Sequence, residues 1–155
     1  MKKITILFFI AISLLSCQKE YKYPESKLWK HGVYSKWEAK ELEGVFDGLE
    51  VDVIYSPEKN NIYVGRIVAD TSKNQTLDDW MSILQNPEKI SFWIDFKNLS
   101  RENANAALDV FDLITKKYNI HDNCFIESQD IETLKIVKER NYFTILWVEN
   151  LHYWK

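Results

Sequence analysis

Two carboxylates stand two residues apart in the stretch Gly48-Leu49-Glu50-Val51-Asp52-Val53-Ile54-Tyr55. Leu49, Val51, Val53 and Tyr55 alternate with Glu50, Asp52 and Ile54, which reads as a β-strand. Successive strand side chains point to opposite faces, so Glu50 and Asp52 share one. In so apolar a strand, that face looks toward something that wants negative charge. A divalent cation satisfies two close carboxylates, and so does water along the polar face of an edge strand. From this strand alone the two readings stand level.

Other chemistry-bearing residues fall at comparable places. His31 closes the short strand expected over 27–33, and Asp95 and Lys97 finish the apolar run 90–97. Glu127 ends the strand expected over 123–127. All lie at or near the C-terminal ends of strands, the edge that carries the chemistry in α/β sheets and barrels. A single such residue is usually a satisfied structural group, but the gathering of several from four strands points to a site.

The intervening segments are helical. Ser35 with Glu38, and Thr76 with Asp79, have the spacing of a capping box, so helices are expected over 36–43 and 76–85. Ser100 is expected to cap a long helix reaching Tyr118, with Ala104, Ala107, Leu108, Phe111, Ile114 and Tyr118 at helical spacing. Asp130 caps another that runs to Arg140, and a last strand covers 142–148. The turn cluster Ser56-Pro57-Glu58-Lys59-Asn60-Asn61 is too short for a crossover, so the strand expected over 62–67 returns antiparallel. Apart from that arm the order is strand, helix, strand, with strands near residues 29, 51, 93, 125 and 145. This alternation gives a parallel sheet through right-handed crossovers. Burial on both faces would explain the runs Phe92-Trp93-Ile94 and Phe143 to Val148.

The sequence has 155 residues, room for one domain, and a formal net charge of −3 with no basic cluster suited to nucleic acid. Six Trp, eight Tyr and eight Phe against four Gly and three Pro suit a packed body. Residues 1–16 read as a signal peptide: Lys2 and Lys3, then the apolar run Ile4 to Leu15. The run ends Leu14-Leu15-Ser16-Cys17, which resembles the bacterial lipoprotein cleavage box. That resemblance implies cleavage before Cys17, lipidation of Cys17, and a membrane-anchored lipoprotein of the cell envelope. Residues 17–27 read as a polar tether, and residues 28–155 as the folded domain. Cys124 would be left without a thiol partner, so the fold rests on its core.

His31-Gly32, then Glu50-Val51-Asp52-Val53, then Asp95-Phe96-Lys97-Asn98 resemble the phospholipase C-like phosphodiesterase superfamily, which includes glycerophosphodiester phosphodiesterases. His31-Gly32-Val33-Tyr34-Ser35, Leu77-Asp78-Asp79-Trp80 and Ile94-Asp95-Phe96-Lys97 are most similar to its menorin-like branch. The likeness spans residues 28–140. It implies an α/β fold, a partial TIM (β/α) barrel with parallel strands and one antiparallel hairpin arm. It implies Mg²⁺ or Ca²⁺ held by Glu50, Asp52 and Asp95, with His31 in acid–base or nucleophilic catalysis and Lys97 on the phosphate. The substrate implied is a phosphodiester or lysophospholipid-like small molecule.

Two departures bear on activity. The family's second catalytic His belongs on the return arm, where this chain reads Val64-Gly65-Arg66-Ile67. Arg66 can bind phosphate bidentately but cannot exchange a proton near neutral pH. A full barrel takes about 250 residues, so the barrel is expected to be incomplete, with three βα units of the pattern missing. The expectation is a lipoprotein with impaired phosphodiester hydrolysis. The rival is a non-catalytic lipoprotein that binds metal or phosphate, and a third reading has no site at all. His121 and His152 match no motif and are expected at the surface.

Overall fold

The computed structural model describes residues 28–73 and 75–148. Cys17, the tether and His152 lie outside the described residues. Six strands form one sheet: β1 (Trp29–Lys30), β2 (Gly48–Ser56), β3 (Asn61–Val64), β4 (Ser91–Phe96), β5 (Cys124–Ser128) and β6 (Phe143–Leu146). The parallel order is β1-β2-β4-β5-β6, and β3 pairs antiparallel with the C-terminal half of β2. Helices α1 (Lys36–Leu42), α2 (Leu77–Met81), α3 (Ala104–Tyr118) and α4 (Ile131–Glu139) fill the connections. This is an α/β fold, a partial TIM barrel: β1 and β6 are not paired with each other, so the sheet is open.

Alternation sorts the strand side chains into two faces. On the outer face Leu49, Val51, Val53, Phe92, Ile94 and Ile126 are buried against the helices. Phe111 of α3 meets Phe96 edge-on at 5.9 Å, and Trp80 of α2 meets Phe92 at 6.2 Å. On the inner face the register aligns Glu50, Trp93, Phe125 and Phe143 in one layer. The next layer toward the C-terminal edge is Asp52, Asp95, Glu127 and Ile145. Trp29 packs edge-on to Trp93 at 6.2 Å and to Phe125 at 5.7 Å, and Phe125 stacks on Phe143 at 5.1 Å. Gly48 makes this row possible, because a Cβ there would lie 2.4 Å from the Trp29 ring.

Several boundaries differ from the sequence reading. The long helix starts at Ala104, not Ser100, because Asn103 is held elsewhere: its Oδ1 accepts from Ser100 N–H at 2.9 Å and its Nδ2 donates to Asn98 O at 2.8 Å. Ser35 precedes α1 without a side-chain capping bond, whereas Thr76 Oγ1 accepts from Asp79 N–H at 3.0 Å. The second helix stops at Met81, short of residue 85. The return arm leaves the sheet after Val64, where the Asp70 carboxylate takes the amides of Arg66 and Ile67 and draws the chain into a 3₁₀ segment. The last strand is half-buried and exposed by turns, not covered on both faces: it is an edge, and no described element follows to cover Thr144 and Leu146. Asparagine closes α3 and ends the turn after α4, with Asn119 at φ 56° and Asn141 at φ 65°.

Candidate functional site

β2 runs through the middle of the sheet, so an inner-face acid on it is buried by neighbours on both sides. Glu50 and Asp52 are 1% and 2% exposed. In-register pairing then brings Asp95 of β4 beside Asp52, and Glu127 of β5 beside Asp95. One carboxylate oxygen from each of Glu50, Asp52 and Asp95 lies within 4.8 Å of the others.

The loop after β1 wraps around Glu50. Gly32, at φ 74°, turns its N–H onto Glu50 Oε2, and Val33 N–H donates to Glu50 O at 2.9 Å. His31 Nε2 stands 3.6 Å from the same Oε2, its ring edge-on to Trp93 at 6.3 Å. Glu50 Oε1 is buried and has no hydrogen-bond partner. Asp52 is fully engaged. Tyr34 O–H donates to Oδ2, Arg66 Nε lies 3.3 Å from that oxygen, and Lys97 Nζ lies 2.5 Å from Oδ1. Lys97 also pairs with Asp95 Oδ2. Trp93 Nε1–H donates to Glu127 Oε2 at 2.6 Å.

Protonation follows from these surroundings. Burial raises the Glu50 carboxyl, the Gly32 amide opposes this, and the Asp52 charge adds to it. Burial likewise raises Asp95, against the pull of Lys97, and raises Glu127, with Asp95 adding to the effect. Desolvation works against the Lys97 ammonium, but its bonds to Asp52 and Asp95 win and hold it above the usual lysine range. The Tyr34 hydroxyl is pushed up by burial and by the Asp52 carboxylate, so it stays a donor.

Asp52, Asp95 and Glu127 line a cleft of about 760 Å³ together with Lys97 and Arg66, and Glu50 lies beside Asp52 and Asp95, so four acids meet two cations at this edge. The donor set suits a hard cation: all its ligand atoms are carboxylate oxygens, and the buried Glu50 Oε1 is an acceptor without a donor among the described residues. Mg²⁺ and Ca²⁺ both fit that description. The other buried orphan among the described residues is Trp80 Nε1, a donor in the apolar core.

The structure therefore gathers His31, Glu50, Asp52, Arg66, Asp95 and Lys97 at one edge. His121 lies at the opposite edge, partly exposed as expected of a surface residue, with its ring 4.3 Å from that of Tyr142. Sequence reasoning missed the parts played by Tyr34 and Trp93. Trp93 was findable, since it alternates with Asp95 on one strand. Tyr34 sits in a loop without periodicity, held by Gln75 Nε2 donating to its carbonyl at 2.5 Å.

No protein-family model and no curated protein matches the sequence. Among solved structures the fold is similar to that of a glycerophosphodiester phosphodiesterase from Parabacteroides distasonis, with a TM-score of 0.61 at 13% identity. The match covers 79% of this chain and 65% of that one, so the chain spans less than two thirds of that protein's length. The likeness is one of fold, an α/β architecture consistent with a partial TIM barrel.

Proposed function

We propose that the chain is a cell-envelope lipoprotein, anchored through Cys17, that hydrolyses a phosphodiester of the glycerophosphodiester or lysophospholipid type with a divalent cation. The observation that carries this is the convergence of Glu50, Asp52 and Asp95, one carboxylate oxygen of each within 4.8 Å of the others, together with a buried Glu50 Oε1 that has no donor among the described residues. Glu50, Asp52 and Asp95 would hold Mg²⁺ or Ca²⁺, whose charge would offset that of the phosphoryl oxygens. Lys97 and Arg66 bind those oxygens from the chain's side, Arg66 by its two-pronged guanidinium. His31, 78% exposed at the cleft and steered by Glu50, moves the proton.

A second reading keeps the binding and drops the turnover. It is favoured by Lys97 and Arg66 already pairing with Asp52, and by His31 being the one imidazole at this edge among the described residues. The deciding experiment follows metal-dependent alcohol release from glycerophosphocholine and lysophosphatidylcholine by the wild type and His31→Ala. Release abolished by the substitution supports the enzyme. Calorimetric Mg²⁺ or Ca²⁺ binding without release supports the binder, and neither binding nor release removes both. Mass spectrometry of the membrane fraction tests the anchor, with acylated Cys17 as the expected N-terminus.

A further inference from the structure

The side chains suited to a cation and those suited to a phosphate are bonded to one another. Lys97 Nζ bridges two of the three clustered acids, lying 2.5 Å from Asp52 Oδ1 and pairing with Asp95 Oδ2. Arg66 Nε sits on the other Asp52 oxygen at 3.3 Å. Glu50 has no such cover: its Oε2 accepts from Gly32 N–H, and its Oε1 has no donor among the described residues. The acid cluster is thus open at Glu50 and closed at Asp52 and Asp95. An ammonium and a divalent cation repel each other and compete for the same carboxylate oxygens.

The covering charges can move without moving a strand. The backbone beside them is fixed: Lys97 N–H donates to Val53 O and Gly65 N–H to Asp52 O, each at 3.0 Å, and Arg66 N–H donates to Asp70 Oδ2 at 2.9 Å. The side chains are long and unbranched, 25% exposed in Lys97 and 69% in Arg66. A change of rotamer therefore carries either charge out of the cluster. Tyr34 O–H on Asp52 Oδ2 keeps the carboxylate in place meanwhile.

We infer that Lys97 is a resident counter-ion that Asp52 and Asp95 exchange for a divalent cation, and that this exchange couples cation binding to phosphodiester binding. With neither ligand bound, Lys97 and Arg66 neutralise the acids. Lys97, once displaced by a cation, is free for phosphoryl oxygens. Equally, a diester monoanion draws Lys97 and Arg66 off Asp52 and clears its oxygens. Each ligand removes the other's competitor, so the coupling is positive and, by linkage, equal in both directions. The two ligands are those of the proposed function, on which this exchange rests. The pairing of Lys97 and Arg66 with Asp52 is then a resting state of the site and not a block.

The test uses the full chain and needs no catalytic readout. Wild-type protein is treated with an amine-acylating reagent, and Lys97 is followed by mass spectrometry. Lys36, which pairs with Asp79 outside the cluster, is the control. Mg²⁺ or Ca²⁺ is expected to raise Lys97 acylation roughly tenfold, as the free fraction of its ammonium rises. Dimethyl phosphate added with the cation should lower it again, and Lys36 should stay constant. In calorimetry, dimethyl phosphate should tighten cation binding to the wild type about tenfold. Lys97→Met should tighten it by a similar factor without the diester and lose most of the coupling. Arg66→Gln removes the same charge from the other Asp52 oxygen and should tighten it less. Cation binding that leaves Lys97 acylation unchanged overturns the exchange and spares the metal site. So does equal tightening by the two substitutions, which would mark loss of charge without displacement. The acylation arm decides alone if Lys97→Met does not fold. No cation binding to the wild type, with or without dimethyl phosphate, removes the proposed metal site and the exchange together. Release of Lys97 by the cation without hydrolysis of any diester upholds the exchange and leaves the binding-only reading of the function.

Discussion

The two edges of the sheet hold the same kinds of residue in different states. At the N-terminal edge Arg140 Nη1 meets Asp109 and Asp112 at 2.7 Å each. Tyr142 O–H donates to the other Asp112 oxygen at 2.6 Å and lies 2.9 Å from Thr115 Oγ1. His121 covers the Tyr142 ring and bonds to Arg140 O at 3.1 Å. Both Asp112 oxygens are matched, and the cluster ties α3 to the start of β6. At the C-terminal edge acids outnumber permanent cations, and one buried carboxylate oxygen has no partner. A satisfied network stabilises a fold, whereas an unsatisfied one stores electrostatic free energy that a ligand can release. Cavities exist at both ends, about 580 Å³ beside Arg140 and about 760 Å³ at the acid cluster, so space alone does not separate them.

The sharpest way to break this contrast is to remove one acid from each edge. Asp52→Ala should lower phosphodiester turnover by about 10²–10⁴-fold, the usual range for losing one acid–base or charge-stabilising group. Asp112→Ala should leave turnover per folded molecule unchanged. Comparable losses from the two substitutions, measured as initial rates at saturating cation, would erase the distinction.

Stability should show the reverse. Asp112→Ala takes one of two partners from the buried Tyr142 hydroxyl, which keeps Thr115 Oγ1, and one from Arg140, which keeps Asp109, and should cost about 1 kcal/mol in urea unfolding. Cation affinity by calorimetry should not change. Glu50→Gln should act oppositely in chelator, stabilising by about 1 kcal/mol through removal of charge from a buried carboxyl whose Oε1 has no donor. It should also abolish any rise in melting temperature caused by Mg²⁺ or Ca²⁺. A destabilised Glu50→Gln protein would show that Oε1 is not the strained group.

The smallest effects are pH slopes from two carboxylates at the end of β5. Burial raises Glu127, with the Asp95 charge adding. The folded state therefore holds this proton more tightly than the unfolded chain, and its contribution to stability is full below the ordinary glutamate range and lost as pH rises through the raised value. Asp130 caps α4 by accepting from Thr133 O–H at 2.7 Å and from Glu132 N–H at 2.9 Å, and these bonds lower its carboxyl. Its contribution is present above the ordinary aspartate range and lost as pH falls through the lowered value. In urea midpoints across the acid range, Glu127→Gln should remove a loss of stability with rising pH. Asp130→Asn should remove a gain.

The sequence by itself determined the strand order in time, the shared face of Glu50 and Asp52, and the placement of Asp95 and Lys97 at strand ends. These follow from short-range rules, the period of two in a strand and the caps and turn residues between elements. Asp130, Thr76 and Asn119 were readable for the same reason, because a cap bonds within three or four residues. Ser100 misled because Asn103 bridges Asn98 O and Ser100 N–H, and the regular helix begins only after it. The closing run Phe143 to Val148 misled because an edge strand and a central strand of a parallel sheet can share one composition. Only the tertiary structure decided the rest. Strand register brought Asp52, Asp95 and Glu127 into one layer across residues 52–127. The loop after β1 placed Tyr34 on Asp52, and the balance of donors left Glu50 Oε1 without one. Whether an acid is paired depends on neighbours far away in the chain, and no local pattern in a sequence records them.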